Sequence, residues 1–386
     1  MIAYPTSVSS SPALTDEETL HAAIDWVSTQ IPLETQGVYS PQTFYHLLLW
    51  AASRQDTVEH ACQVLTGVPS SNDVRYHLNQ FETMAELDTQ ANAALQGRLP
   101  DGIRNHRHRL AMDLHLIPYY GVANEQETPY IYRSHAKAGT TTFFAYATVY
   151  VIRHHQRVTL ALHAIPCGET MVATVTILLA RLTALRVKIQ RLYLDRGFYS
   201  VPVIRWLQAL RIPFLMPAIL RGKRGGTRAL CQGRQSYRTR YTLTSSAYGS
   251  VACEMAVVCR YHKGRRHRHG IQYLVFVVYR VKVALPQLPA HYRHRFGIET
   301  SYRLKNSCRI RTTTKHPVVR FFYVALAFML VNLWIWLLWT RVSRSQRGGR
   351  RVYREHFPLK TMLEFLCHAI ERQFPLIQAV FLPNSG

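Results

Sequence analysis

Residues 1 to about 104 carry a helix-start signal ahead of each apolar stretch: Thr15-Asp16-Glu17-Glu18, Ser40-Pro41, Asp56 before Thr57-Val58-Glu59, and Ser71-Asn72 before Asp73. The pattern predicts an all-helical N-terminal domain. Within it, residues 57–81 give a short helix, a Gly67-Val68-Pro69 turn and a second helix, an arrangement resembling a helix-turn-helix. Any small helical bundle offers such a pair, but in so basic a chain the domain is expected to contact DNA.

From about residue 105 the period changes. Residues 109–120 read as a strand ending near Pro118; 142–152 and 157–165 form a β-branched and aromatic pair around a polar link. Residues 169–185 read as an apolar helix, 188–194 as a strand, 200–210 as a helix and 212–217 as a short buried strand. Three strands, helix, strand, helix, strand is the order of an RNase H-like α/β core, a mixed sheet flanked by helices. Residues 218–286 interrupt that order with a Gly-rich, arginine-decorated loop and strand-like runs at 250–260 and 271–283, read as a basic β-rich insertion. The expected layout is therefore a helical domain (1–104), a first core part (105–217), the insertion (218–286), a second core part (287–345) and a basic C-terminal helical tail (346–386). That tail carries an amphipathic helix over 359–373.

Residues 321–340 are uncharged, with a single polar amide, Asn332, and Arg320 and Arg341 flank them. Length and apolarity would suffice to span a bilayer. A helix buried all round in a large domain has the same composition. Spanning would tear the preceding segment from its scaffold, so a core helix and no membrane partner are expected.

Charge adds the substrate class. The 386 residues are 48% hydrophobic and 18% charged, which fits a folded chain, yet the formal net charge is +25. Such an excess favours phosphate backbones through counterion release. The seven cysteines are odd in number and form no Cys-x-x-Cys pair. That argues against a disulfide framework. Met1-Ile2-Ala3-Tyr4 opens without the basic start and apolar run of a secretory leader. A cytoplasmic, nucleoid-associated protein is expected.

Acids are scarce where the strands lie. Between Glu127 and Asp195 the only carboxylate is Glu169; between Asp195 and Glu299 it is Glu254. Asp113 stands mid-strand among apolar neighbours, where a carboxylate is costly unless paired or bound to metal. Asp195 ends the run Arg191-Leu192-Tyr193-Leu194, and ligands of open sheets collect at strand carboxyl ends. Glu299 falls in a helix read over 291–307, on a face shared with Tyr292, Arg295 and Arg303. Asp113, Asp195 and Glu299 are the candidate catalytic and metal-binding residues; three such carboxylates could hold two Mg²⁺ ions for in-line attack on phosphate, with Mn²⁺ as substitute. Arg221 and Arg224 of the loop, and positions 264 and 265 at a hairpin tip (Gly264-Arg265), are candidate DNA contacts. Cys253, Cys259, His262, His267 and His269 fit no zinc spacing, and the arginines among them would repel a cation. Glu125 and Glu127 read as solvated loop residues.

These residues resemble the DDE transposases of insertion sequences, specifically the group with a Y-R-E-K signature: Tyr, two residues, Arg, three residues, Glu, six residues, Lys. Tyr292, Arg295 and Glu299 match at the right spacing. The lysine position falls on Asn306; Lys305 lies one residue early, and Arg303 or Arg309 could replace it. Asp113, the Asp195-Arg196-Gly197-Phe198-Tyr199 block, the β-rich insertion and the following apolar helix extend the likeness over most of 105–340. The resemblance implies an RNase H-like fold, Mg²⁺ dependence, and action on double-stranded DNA at terminal inverted repeats and a target. Synapsis of two ends implies a homodimer. A nuclease that cuts without joining, and a silent DNA-binding remnant, are the competing readings.

Overall fold

The computed structural model describes residues 13–379 except 82, 154–156, 223–224, 265–268, 294 and 296; side chains of 263, 269 and 297–301 are likewise not described. Strand β1 (Arg107–Pro118) pairs antiparallel with β3 (Thr140–Val151) and parallel with β5 (Lys188–Leu194). β2 (Ile131–Lys137) and β4 (Thr159–Ala164) lie along the other edge of β3, and β6 (Phe214–Pro217) pairs parallel with β5. The parallel steps are made by α6 (Met171–Ala184) and α7 (Val201–Ala209), as βαβ crossovers require. Strands buried on both faces read as continuous apolar runs: Leu192, Tyr193, Leu194, Phe214, Leu215 and Met216 are all fully buried.

Strands β7 (Tyr237–Ser245), β8 (Gly249–Lys263) and β9 (His269–Tyr279) do not stand apart from this core. β9 pairs antiparallel with β6, so among the described residues one nine-stranded sheet runs β2-β3-β1-β5-β6-β9-β8-β7, with β4 on β3. The sequence reading missed β7 because its Arg, Thr and Tyr residues resemble a basic loop. Its burial alternates strictly, with Arg238 and Arg240 outward, as an edge strand wet on one side should. β2 was missed for the same reason.

Five N-terminal helices, α1 (Asp16–Gln30), α2 (Pro41–Arg54), α3 (Val58–Val64), α4 (Ser71–Leu78) and α5 (Met84–Gly97), precede the sheet. Capping boxes at Thr15/Glu18 and Ser70/Asp73 start α1 and α4. The C-terminal segment turns back. After the hairpin β10 (Ser343–Gln346) and β11 (Gly349–Val352), α11 (Leu359–Gln373) docks on α1 and α2 through Leu359, Met362, Leu363, Leu366 and Ile370. Arg372–Asp16 (2.7 Å) and Arg54–Glu371 (2.6 Å) ion pairs ring that seam.

α10 (Pro317–Thr340) is long and apolar enough to cross a bilayer, yet 94% of its most apolar window is buried within protein. Asn332 shows why it suits this interior. Its amide oxygen accepts from Thr159 N (3.0 Å), and its amide nitrogen donates to Thr159 O (2.8 Å) and Leu95 O (3.3 Å). Asn92 of α5 does the same for Leu162, donating at 2.8 Å and accepting at 3.0 Å. The outer edge of β4 is thus closed by two asparagines rather than left as a template for another strand. Asn332→Leu leaves three buried backbone groups unpaired and should cost about 3 kcal/mol or more. Urea denaturation would measure this, and an unchanged midpoint would show that other donors serve those groups.

A buried ionic cluster also joins α5 to the core. Asp88 pairs with Arg181, and His163 contacts Glu169 at 3.0 Å and Asp88 at 3.9 Å. Burial alone would lower the His163 pKa, but the Asp88 and Glu169 carboxylates reverse this and raise it above its ordinary 6.5. Glu169 is lowered from 4.5: burial opposes ionisation, and His163 and Thr174 overcome it. The histidine therefore contributes stability in full below pH 6.5 and loses it as pH rises through the raised value. The glutamate contributes above pH 4.5 and loses its share as pH falls through the lowered value. The melting temperature of wild type should drop as the pH rises above 6.5. In His163→Gln that drop should be smaller, and an equal drop would remove the cluster from the account.

Candidate active site

The strand register builds the site. Met112 of β1 is paired with Leu194 of β5, so the next residue on each chain is an aspartate, Asp113 and Asp195. Ala111, Tyr193, Leu215 and Val278 lie in direct register across four strands and share one face of the sheet. With a side-chain period of two, Asp113 and Asp195 follow Ala111 and Tyr193 onto that same face. There they meet α8 (Leu288–Arg293), whose Leu288 and Tyr292 pack on it.

The helix expected over 291–307 is two helices. α8 ends at Arg293 and α9 (Gly297–Asn306) begins four residues later. Arg295, between them, is 6% exposed and reaches both carboxylates: Nη1 is 3.3 Å from Asp113 Oδ2, and Nη2 is 3.3 Å from Asp195 Oδ1. A continuous helix would have held Arg295 on the helix flank. The Tyr292 ring lies 5.3 Å from that guanidinium, and its hydroxyl donates to Leu194 O (3.2 Å) at the end of β5. Burial pushes the Tyr292 phenol up, with the two aspartates adding to the shift against Arg295, so it remains a neutral donor. Asp113 is nearly buried and its Oδ1 accepts from Leu114 N (3.0 Å); Asp195 is the more open of the pair. Glu299 lies in α9, but its side chain falls outside the described residues. Among the described residues no group of three His, Cys, Asp or Glu side chains converges for a metal.

Lys305 faces inward. It is fully buried, its Nζ is 2.6 Å from His115 Nε2, and it lies 5.7 Å over the Phe328 ring of α10. Burial, with Arg309 adding, holds the Lys305 ammonium well below the usual lysine range. Burial and then Lys305 hold the His115 imidazole down likewise, so it is neutral. Tyr302 stacks on His115 at 4.9 Å and shares a 2.8 Å hydrogen bond with Thr148, which lies opposite Asp113 on β3. Lys305 thus braces the floor beneath Asp113 and is turned away from any phosphate outside. On the same helix Arg303 is exposed, as is Asn306, while Arg309 beyond its end is half-buried.

The other candidates divide. Arg221 is exposed beyond β6; Arg224 and Arg265 lie outside the described residues; Gly264 offers no side chain. Glu127, expected in solvent, is fully buried: Tyr119 Oη (2.8 Å) and Asn124 N (3.1 Å) donate to its carboxylate, offsetting its desolvation. Sequence reasoning missed a groove of about 690 Å³ opening onto Asp195, lined by Arg196, Arg260, Arg293 and Arg295 with Tyr292 and Phe276. Arg196 directly follows Asp195 and was the one available signal; Arg260 and Arg293 come from β8 and α8 and meet only in the fold.

A nine-stranded mixed sheet with helices on both faces, and with one aspartate within β1 beside another just past the end of the adjacent parallel β5, is an RNase H-like core. A family model described as a transposase DDE domain matches residues 104–333, and the chain belongs to that family: it is a transposase. The piggyBac transposase in a synaptic complex with hairpin DNA superposes with a TM-score of 0.52 at 10% identity, over 93% of this chain and 78% of that one. At that identity the likeness shows the fold. Comparison with curated protein sequences gives no match.

Lys305→Met should leave duplex DNA affinity unchanged and keep stability level or raise it by about 1 kcal/mol, because it removes a buried amine with no acid partner among the described residues. A clear loss of affinity in a filter-binding titration, with the melting temperature unchanged, would return Lys305 to the DNA surface.

Proposed function

We propose that this transposase binds the terminal inverted repeats of its own element, cleaves them and joins them to target DNA, with Asp113, Asp195 and Glu299 holding Mg²⁺. The observation that carries the proposal is the β1–β5 register, which sets Asp113 beside Asp195 with one cationic group bridging both. Oxygen-only donors suit a hard divalent ion such as Mg²⁺ or Mn²⁺. Two carboxylates converge here in a chain that has only one other acid between Asp195 and Glu299. When bound, Mg²⁺ supplies an activated water or 3′-hydroxyl and stabilises charge on the phosphate oxygens.

The chain's own residues supply the positioning. Tyr292, Arg295 and Glu299 fit the Y-R-E-K spacing, with Arg303 in place of the lysine as the exposed cation on α9. Arg196, Arg260 and Arg293 draw the backbone into the groove beside Asp195. Tyr292 fixes the Arg295 fork from below through its bond to Leu194 O. Arg295 presents a planar guanidinium fork at the mouth of the two carboxylates, a geometry that would suit a phosphate as well as a carboxylate. Most of the rate enhancement would come from this alignment and from electrostatics. Joining two ends calls for two chains, hence a homodimer on DNA.

The test is cleavage and strand transfer on DNA carrying the inverted repeats that flank the gene, with and without Mg²⁺. Asp195→Ala should bind this DNA as tightly as wild type or more tightly, since it removes a negative charge. Its chemistry should fall at least about 100-fold, because even indirect ligand losses cost 10–100-fold. Parallel loss of binding and chemistry would mean misfolding and sink the assignment. Cleavage without joining by wild type would make the protein a nuclease on the same core, and binding without either reaction a remnant.

A further inference from the structure

We infer a second DNA-backbone site at the opposite end of the sheet from the aspartates, a trough that holds a duplex by its phosphates alone. The inference rests on the proposed action on DNA and adds a surface to it. The trough has a volume of about 1020 Å³ and is lined by Arg107, Lys188, Arg211, Arg238, Arg280 and Lys282, all of them exposed. Arg191 adds a seventh cation, and the one acid in the lining, Glu254, is already paired with Arg238 at 2.5 Å.

The cations come from separate parts of the chain, so a local basic run does not account for them. Arg107 and Lys188 are in register at the starts of β1 and β5; Arg211 precedes β6; Arg280 follows β9; Arg238 lies on β7. From β1 to β7 is five strand spacings, about 24 Å, close to the width of a duplex. Lys188 is six residues from Leu194 along β5, so the trough lies about 20 Å from Asp195. A duplex end held at the aspartates does not also fill it.

Gathering like charges on one surface has an electrostatic cost, which among the described lining residues Glu254 offsets for Arg238 alone. Two unit charges 8 Å apart in water repel by about 0.5 kcal/mol. A polyanion removes that repulsion. The lining contains no aromatic side chain, so unpaired bases have nothing to stack on. What remains is sequence-independent contact with a charged backbone. Duplex DNA fits this better than a single strand or a nucleotide.

The test counts duplexes per chain, using the full-length protein and two short duplexes with different fluorophores, one carrying the element end and one of unrelated sequence. Wild type should bind two duplexes per chain and bring the dyes together. The variant Arg107→Gln with Lys188→Gln and Lys282→Gln should keep its melting temperature and its cleavage of the element end. Its affinity for the unrelated duplex should fall about a hundredfold at 0.15 M salt, since three lost phosphate contacts lower the salt slope by about 2.7. Asp195→Asn should still bind both. One duplex per chain in wild type that is nonetheless cut overturns the second site and leaves the proposed function standing; no duplex bound at all overturns both. Equal affinity of variant and wild type for the unrelated duplex, or capture of anionic vesicles in its place, also overturns the second site.

Discussion

The parallel pairing of β1 with β5 is the constraint on which the catalytic end depends. Met112 opposite Leu194 sets Asp113 and Asp195 on one face and within reach of one guanidinium. A one-residue slip would send either carboxylate into the packed opposite face, where no cation awaits it. The register is held from both sides: Ala111 and Tyr193 pack under α8, and Met112, Leu192 and Leu194 pack into the other core. The side chains that fix the register are apolar and buried. The carboxylates proposed to act are their immediate neighbours, so in that reading positioning and chemistry are separate tasks of adjacent residues.

Charge follows a related division. Several acids outside the helical bundle are engaged: Glu127 with Tyr119, Glu169 with His163, Glu254 with Arg238, and the aspartates with Arg295. The cations greatly outnumber them, and most are left facing water. An exposed ion pair contributes little to stability, so this imbalance costs the fold little while making the surface strongly attractive to a polyanion. The two concentrations of arginine, beside Asp195 and at the far end of the sheet, lie where strands from distant parts of the chain converge.

The helical bundle and the sheet form one packed body. α5 and α10 clasp β4, Asn92 and Asn332 close its edge, and α11 returns from the C-terminus to complete the α1–α2 interface. The apolar stripe on α11 was plain in the sequence, but its destination, more than three hundred residues upstream, was not. The same holds for α10. Its composition suits lipid and protein interior equally, and the choice falls to Asn332, whose amide finds its full complement of partners in β4 and α5.

The sequence by itself determined the order of β1, β3, β4, α6, β5, α7 and β6, the ends of β5 at 188 and 194 and of α11 at 359 and 373, and the strand setting of the two aspartates, because period, caps and burial of a lone acid are local properties. It also carried the spacing of Tyr292, Arg295 and Glu299. Only the tertiary structure decided which way those residues point. A helix face has no direction until the helix docks, so the break between α8 and α9 that turns Arg295 to the carboxylates was not legible. Nor was the docking on β1 and α10 that turns Lys305 inward onto His115. The polar edge strand β7, the buried Glu127 and the arginine groove share that reason: each depends on partners distant in sequence, and local pattern carries no record of them.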